Sequence, residues 1–304
     1  MVPRALEPQL LTSGREVPEG EGWIHEVKYD GYRLLARVDA GGVRLVSRHG
    51  NDWTSRLPAV VEAVAALEVG ESWLDGELVA LGNDGVPRFD ALHRAIRGGR
   101  GALALVYQVW DAPWLEGRDL RGRCVLERKA RLEARVRGHG EGGAVRYADH
   151  LRGRGGELFR HAFDAGLEGV VSKRVGSGYR PGVRSRDWVK VKCFRRVRVR
   201  VAGFTPGLET LLVCAADGEG GLRYLGRMYG WGAAEVRREL RLALAPLHRP
   251  TPPLGGMSRR RREPIQWVEP LVEIEVAALP STPGETLRHA TLRRVVPPGE
   301  ARAA

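Results

Sequence analysis

Lysine is nearly missing from this chain. Of its 49 basic residues only Lys28, Lys129, Lys173, Lys190 and Lys192 are lysines, and the other 44 are arginines. Arginine keeps its proton at any workable pH, so it cannot act as a nucleophile, and its planar fork fills space differently from an ammonium. A lysine that remains in such a chain marks a place where arginine cannot do the work. Cysteine is also scarce. Cys124, Cys193 and Cys214 are odd in number and lack metal-ligand spacing, which excludes a disulfide framework and fits a reduced cytoplasm. No stretch approaches the roughly eighteen unbroken apolar residues of a membrane span. The N-terminus lacks the basic and apolar regions of a secretory signal. The expectation is a cytoplasmic protein with no membrane partner.

At 304 residues, 43% hydrophobic and 28% charged, the chain has room for two globular domains and a real core. The net charge of +12 and a pI near 10.2 favour a polyanionic partner. That charge is uneven: residues 195–304 carry +7, and the longer part, 1–194, only +5.

Residues 1–21, with Pro3, Pro8 and Pro18, read as a lead-in strap. Strand patterns follow at Trp23–Lys28, Tyr32–Val38, Val43–Ser47, Trp73–Leu81, Leu103–Asp111, 168–173 and 187–192, with helices at Leu57–Leu67, Phe89–Ile96, Val125–Val136 and Gly156–Ala165. The character changes at Cys193. Residues 196–204 alternate Arg and Val, a period-two strand with arginines on one face. Further strands are expected at Leu211–Ala215, Leu222–Arg227, Val268–Val276 and Thr286–Leu292, with a helix at Ala233–Ala245 and a Pro/Gly/Arg loop at 249–264. Five short strands and one helix fit an OB-fold, a small barrel that often grips nucleic acid.

Four of the five lysines fall in two kinds of place: K-Y-D-G-Y-R (28–33), and the strands E-G-V-V-S-K-R (168–174) and W-V-K-V-K (188–192). With L-D-G-E-L-V (74–79) between them, these strings in this order resemble the signature of the covalent nucleotidyltransferases, namely ATP-dependent DNA ligases, RNA ligases and mRNA capping enzymes. G-W-I-H-E-V-K-Y-D-G-Y-R, S-R-H-G-N-D-W-T (47–54) and W-V-E-P-L-V-E-I-E-V (267–276) are similar to the ligase domain of bacterial multifunctional end-joining ligases. The resemblance covers nearly the whole chain. It implies an α+β architecture: an ATP-grasp-like nucleotidyltransferase (adenylation) domain of antiparallel sheets with flanking helices over 1–194, then an OB-fold barrel over 195–304. It also implies a minimal DNA ligase, a monomer near the bacterial nucleoid, using ATP and Mg²⁺ (with Mn²⁺ as a substitute) to seal nicked or broken double-stranded DNA, with end-joining and repair proteins as partners. Two other readings stand beside it: an RNA ligase or capping-type enzyme, and a nick-binding scaffold with weakened catalysis.

The resemblance assigns roles residue by residue. Lys28 is the nucleophile that attacks the α-phosphate of ATP. A free lysine of pKa ~10.4 is neutral in only about one molecule in 2,500 at pH 7, a gap of roughly 4–5 kcal/mol. Nearby cations, Lys190, Lys192, Arg33 and Mg²⁺, disfavour another ammonium. Glu26 and Arg33 belong to the nucleotide pocket, Arg33 toward the ribose, and Arg48 contacts nucleotide or phosphate. Glu77 holds ribose or metal, and Glu168 holds metal. Trp110 stacks on adenine with Val170 on the other side, and Lys173, Lys190 and Lys192 bind phosphates. Gly31 gives a tight turn its backbone freedom. DNA contacts are expected from Arg198, Arg200, Arg259, Arg260, Arg261, Arg262, Arg288 and Arg293. One departure from the pattern stands at the C-terminal end. In L-R-H-A-T-L-R-R-V-V-P-P-G-E (287–300) Val296 occupies the place of the family's final arginine, which leaves Arg288 and Arg293 or Arg294 for pyrophosphate orientation.

Overall fold

The computed structural model describes all residues except 1, 83, 98–102, 138–142, 219, 231, 256, 258–263, 280–285 and 301–304. The chain divides into two compact units, Met1–Cys193 and Phe194–Ala304.

The first unit runs β1 (Leu10–Ser13), β2 (Gly20–Val27), β3 (Tyr32–Asp39), β4 (Gly42–Ser47), α1 (Pro58–Ala66), β5 (Ser72–Leu81), α2 (Phe89–Ile96), β6 (Ala104–Leu115), β7 (Arg118–Asp119), α3 (Val125–Arg137), β8 (Val145–Tyr147), β9 (Leu151–Gly153), α4 (Gly155–Asp164), β10 (Gly169–Arg174) and β11 (Arg184–Lys192). One sheet has the order β1-β11-β10-β2-β9, parallel only between β1 and β11. The other has the order β4-β3-β5-β6-β7, antiparallel, with β8 parallel to β6. Central β5 is buried along nearly its whole length, with Trp73, Leu74, Leu78, Val79 and Ala80 flanking the buried Asp75. α1 opens with Pro58 in its first turn, where a missing N–H costs nothing. The inward stripes of α1, α2 and α3 (Val60 and Val64, Leu92, Leu132 and Val136) close over this sheet against Leu34, Leu45, Leu74, Leu78 and Tyr107. α4 covers the first sheet through Ala162, packed with Val170 and Cys193.

The strap expected over 1–21 contains a strand. Four residues are too few for alternation to show, and β1 is held by β11 and by buried Gln9, whose N–H donates to the Tyr179 hydroxyl at 3.1 Å. Gly31 serves close packing rather than a glycine-only φ: a Cβ there would lie 2.0 Å from the Leu78 carbonyl oxygen.

The second unit contains β12 (Arg195–Phe204), β13 (Thr210–Ala216), β14 (Leu222–Tyr229), α5 (Ala234–Leu244), β15 (His248–Arg249), β16 (Gln266–Val268), β17 (Glu273–Leu279) and β18 (Arg288–Val295). β12 pairs with both β13 and β17, β13 with β14, β14 with β18, and β18 with β17. The five long strands therefore close into the expected OB-type barrel. Val199, Val201, Val213, Ile274 and Val276 fill it, together with Leu240 and Leu244 of α5. The single strand expected at 268–276 is two, β16 and β17. Pro270 lies between them, and proline cannot donate to a ladder.

Candidate active site

Between the two sheets of the first unit lies a pocket lined by Leu11, Glu26, Val27, Lys28, Tyr29, Arg33, Glu77, Trp110, Val171, Lys173 and Trp188. Strand register explains the company. Glu26 pairs with Val171, Val171 with Lys190, Gly169 with Lys192, and Lys173 with Trp188. Period-two alternation then sends Glu26, Lys28, Val171, Lys173, Trp188, Lys190 and Lys192 to one face. The strands lie close at Gly169, where a Cβ would stand 2.1 Å from the Val191 carbonyl oxygen and φ is +153°. Lys28 N–H donates to the Gly169 carbonyl at 2.8 Å, which fixes the end of β2.

The same register corrects one expected contact. Val170 faces the opposite way, into the core under α4, and the valine in the pocket is Val171.

The Lys28 ammonium is ion-paired to Glu168, whose other oxygen lies 3.2 Å from Lys192. Of the expected cations, Lys192 therefore stands beside Lys28 across a carboxylate that engages both. Burial, then repulsion from Lys28 and Lys192, lowers the pKa of Lys190.

Deeper in the pocket, the Glu26 carboxylate takes Lys129 at 2.7 Å and Lys173 at 2.8 Å, all three groups almost fully buried. Burial alone would raise the Glu26 pKa, but the two ammoniums overcome it and hold it down. Lys173 also lies 4.4 Å from the Trp188 ring centroid and 5.7 Å from that of Trp110. Trp110 is the expected aromatic wall, with the Arg33 guanidinium 5.4 Å from its ring centroid. Arg33 is clamped: it donates to both Asp75 oxygens at 2.9 and 2.6 Å and to the Gln9 carbonyl at 2.7 Å. Asp75 also accepts the Tyr179 hydroxyl at 2.8 Å. Arg33 thus forms pocket wall from a fixed position, and Asp75 is its anchor.

Glu77 lies in the same pocket. Its carboxyl is pushed up to about 7, mostly by burial, against the pull of Lys28 and Arg33, while Glu168 and Asp75 add to the rise. Among the described residues its carboxylate has no hydrogen-bond or ion-pair partner. A half-buried carboxylate without an ion-pair partner among the described residues, near Glu168, suits a divalent cation. Mg²⁺ commonly takes only one or two carboxylates, with phosphates completing its shell. No cluster of three or more His, Cys, Asp or Glu able to hold a metal occurs among the described residues.

Other expected contacts fall elsewhere. Arg48 is exposed and lines a separate cavity between residues 4–10 and 44–52, with Arg4, Arg44 and His49. On the barrel, Arg198 pairs with Glu300 and Arg200 lies 3.4 Å from Glu273. Arg294 reaches Glu275 at 3.3 Å and Glu300 at 2.6 Å. The arginine stripe is therefore laid against carboxylates. Arg288 is partly buried, which lowers its pKa, and Arg293 is exposed. Val296 is buried, 6% exposed, with its N–H donating to the Glu273 carbonyl at 2.9 Å. Arg259, Arg260, Arg261 and Arg262 lie outside the described residues.

Sequence reasoning missed Lys129, Trp188 and Tyr179. For Lys129 a signal was present, since it is one of only five lysines, yet it sits on a helix far from any motif.

Residues 11–192 match the ATP dependent DNA ligase domain, and residues 204–297 the ATP dependent DNA ligase C terminal region. The multifunctional non-homologous end joining protein LigD of Pseudomonas aeruginosa is 39% identical over 298 residues, 95% of this chain and 35% of that protein. The LigD of Mycobacterium tuberculosis, a multifunctional non-homologous end joining DNA repair protein by name, is 33% identical over 302 residues, 96% of this chain and 38% of its own length. The chain thus spans little more than a third of these relatives. A solved structure of mycobacterial DNA ligase D complexed with ATP and MES is 32% identical, with a TM-score of 0.57 over 97% of this chain and 96% of that one.

Proposed function

The chain belongs to the ATP-dependent DNA ligase family, and on that premise we propose that it seals breaks in duplex DNA through an AMP carried on Lys28. The observation that carries the proposal is the position of Lys28, at the end of β2 in a pocket whose walls supply an aromatic face, two carboxylates and further lysines.

Three steps follow. Lys28 Nζ attacks the α-phosphorus of ATP, and pyrophosphate leaves. The AMP then passes to a 5′-phosphate, freeing the lysine. The 3′-hydroxyl attacks the activated phosphate, forms the phosphodiester and expels AMP. The base lies between Trp110 and Val171, and Lys173, Lys190 and Lys192 meet the phosphates. Glu168 would have to release the Lys28 amine for the attack, and Lys190 and Lys192 stand on the same strand face to meet the phosphates. Glu168 and Glu77 are the carboxylates that would hold Mg²⁺, which when bound would neutralise phosphate oxygens. Broken DNA ends as the substrate, and end-joining proteins as partners, are part of the same proposal; the names of the LigD relatives support them.

Incubation with α-labelled ATP and Mg²⁺, followed by denaturation, tests the reading. Label should remain on the protein and chase onto nicked DNA. Protein that retains no label under any metal would overturn it.

A further inference from the structure

Lys129 does not line the nucleotide pocket, yet every part of its ammonium is committed next to it. It lies 2.7 Å from Glu26 Oε1, donates to the Ala148 carbonyl at 2.9 Å and the Trp110 carbonyl at 3.3 Å, and stands 4.6 Å from the Tyr147 ring centroid. Its side chain is fully buried on α3, which also turns Val125, Leu132 and Val136 inward and buries Arg128 against Asp111. Glu26 has a second cation, Lys173, at 2.8 and 3.1 Å through its two oxygens. Two ammoniums against one buried carboxylate leave a surplus positive charge, and Lys173 is the one of the two that faces the pocket.

We propose that Lys129 is a positioning residue that acts through Glu26: by supplying that carboxylate's permanent counter-ion, it leaves the Lys173 ammonium available to the nucleotide. Without Lys129, Lys173 becomes the sole counter-ion of a buried charge. Breaking that pair to meet a ligand would then leave Glu26 uncompensated, a costly state in a site this dry. Arginine is not an equivalent replacement for either buried lysine, because its planar fork fills space differently from a compact ammonium. The retention of both in a chain with 44 arginines accords with this.

The inference rests on the proposed nucleotide site, and the experiment separates the two. Label uptake from α-labelled ATP is measured as a function of ATP concentration in wild type, Lys129→Met, Lys129→Gln, Glu26→Gln and the Glu26→Gln/Lys129→Met double variant, each checked for folding by thermal melting. Lys129→Met and Lys129→Gln should raise KM for ATP about tenfold, the scale of coupling between contacting groups, with the saturating rate changed far less. In the Glu26→Gln background, Lys129→Met should add nothing, because the charge it compensates is gone. If Lys129 merely holds the carbonyls of Ala148 and Trp110, the substitution will cost the same with or without Glu26, and the proposal fails. A wild-type KM in Lys129→Gln, which keeps a donor but no charge, also overturns it. Absence of label in wild type would instead remove the nucleotide site itself.

Discussion

Glu168 holds two lysines with separate oxygens: Lys28 pairs with one, and Lys192 lies 3.2 Å from the other. A lysine in that grip is not free to attack. The carboxylate proposed as a metal ligand thus also restrains the proposed nucleophile.

Lys28→Arg should keep the Glu168 pair, because a guanidinium can take the same carboxylate, and it cannot attack because it does not lose its proton. The variant is expected to melt with wild type and to take up no label from α-labelled ATP. Stable label on this variant would move the nucleophile elsewhere.

Glu77 makes the fold sensitive to pH. Its carboxyl moves from an ordinary value of 4.5 to about 7, chiefly through burial. Between those values the folded state holds a proton that the unfolded state has lost. Its stability is therefore greatest below 4.5 and falls as pH rises through 7. Glu77→Gln removes that fall. The variant should exceed wild type at pH 8 by about 3 kcal/mol, with the gap closing toward pH 4.5. Denaturant melts at a series of pH values check this, and a constant gap would mean that Glu77 does not titrate in the window.

Much of this site could be read in order along the chain. Lys28, Lys173, Lys190 and Lys192 stood out as lysines on strands, and alternation puts residues two apart on one face. What alternation cannot supply is the phase. Val170 and Val171 are equally good strand valines, and only the register of β10 against β2 and β11 turns Val171 to the pocket. Lys129 was visible as a rarity, but its partners come from β2, β6 and the segment after β8. The arginines of 196–200 looked like a basic surface for a related reason. Their carboxylates sit on β17 and at Glu300, and cross-strand partners of that kind leave no mark in local sequence.

Asp75 should matter for stability more than for chemistry. It is fully buried and binds Arg33 through both oxygens, with Tyr179 as a third donor. Removing one partner of such a pair leaves an uncompensated buried charge. Asp75→Ala is expected to cost about 3–5 kcal/mol, measured by urea unfolding. A loss below 1 kcal/mol, on the order of an exposed pair, would show that water reaches Arg33 readily.

The barrel's arginines yield the last prediction. Phosphate binding by Arg198 or Arg294 must displace Glu300, and by Arg200 must compete with Glu273. A neutralised arginine releases few counterions from DNA, so these residues should contribute little to the salt dependence of binding. Arg293 is exposed and has no ion pair among the described residues. Each free phosphate contact is worth about 0.9 in the slope of log affinity against log salt. Arg293→Ala should therefore flatten the slope for nicked duplex by about 0.9 if that arginine meets a phosphate. Arg198→Ala should change it far less, and Glu300→Gln should steepen it as Arg198 is freed, while Arg294 keeps its Glu275 partner. Titrations of labelled nicked DNA at several salt concentrations measure all three. A loss at Arg198→Ala as large as at Arg293→Ala would show that the carboxylates yield to DNA and that the whole stripe forms part of its path.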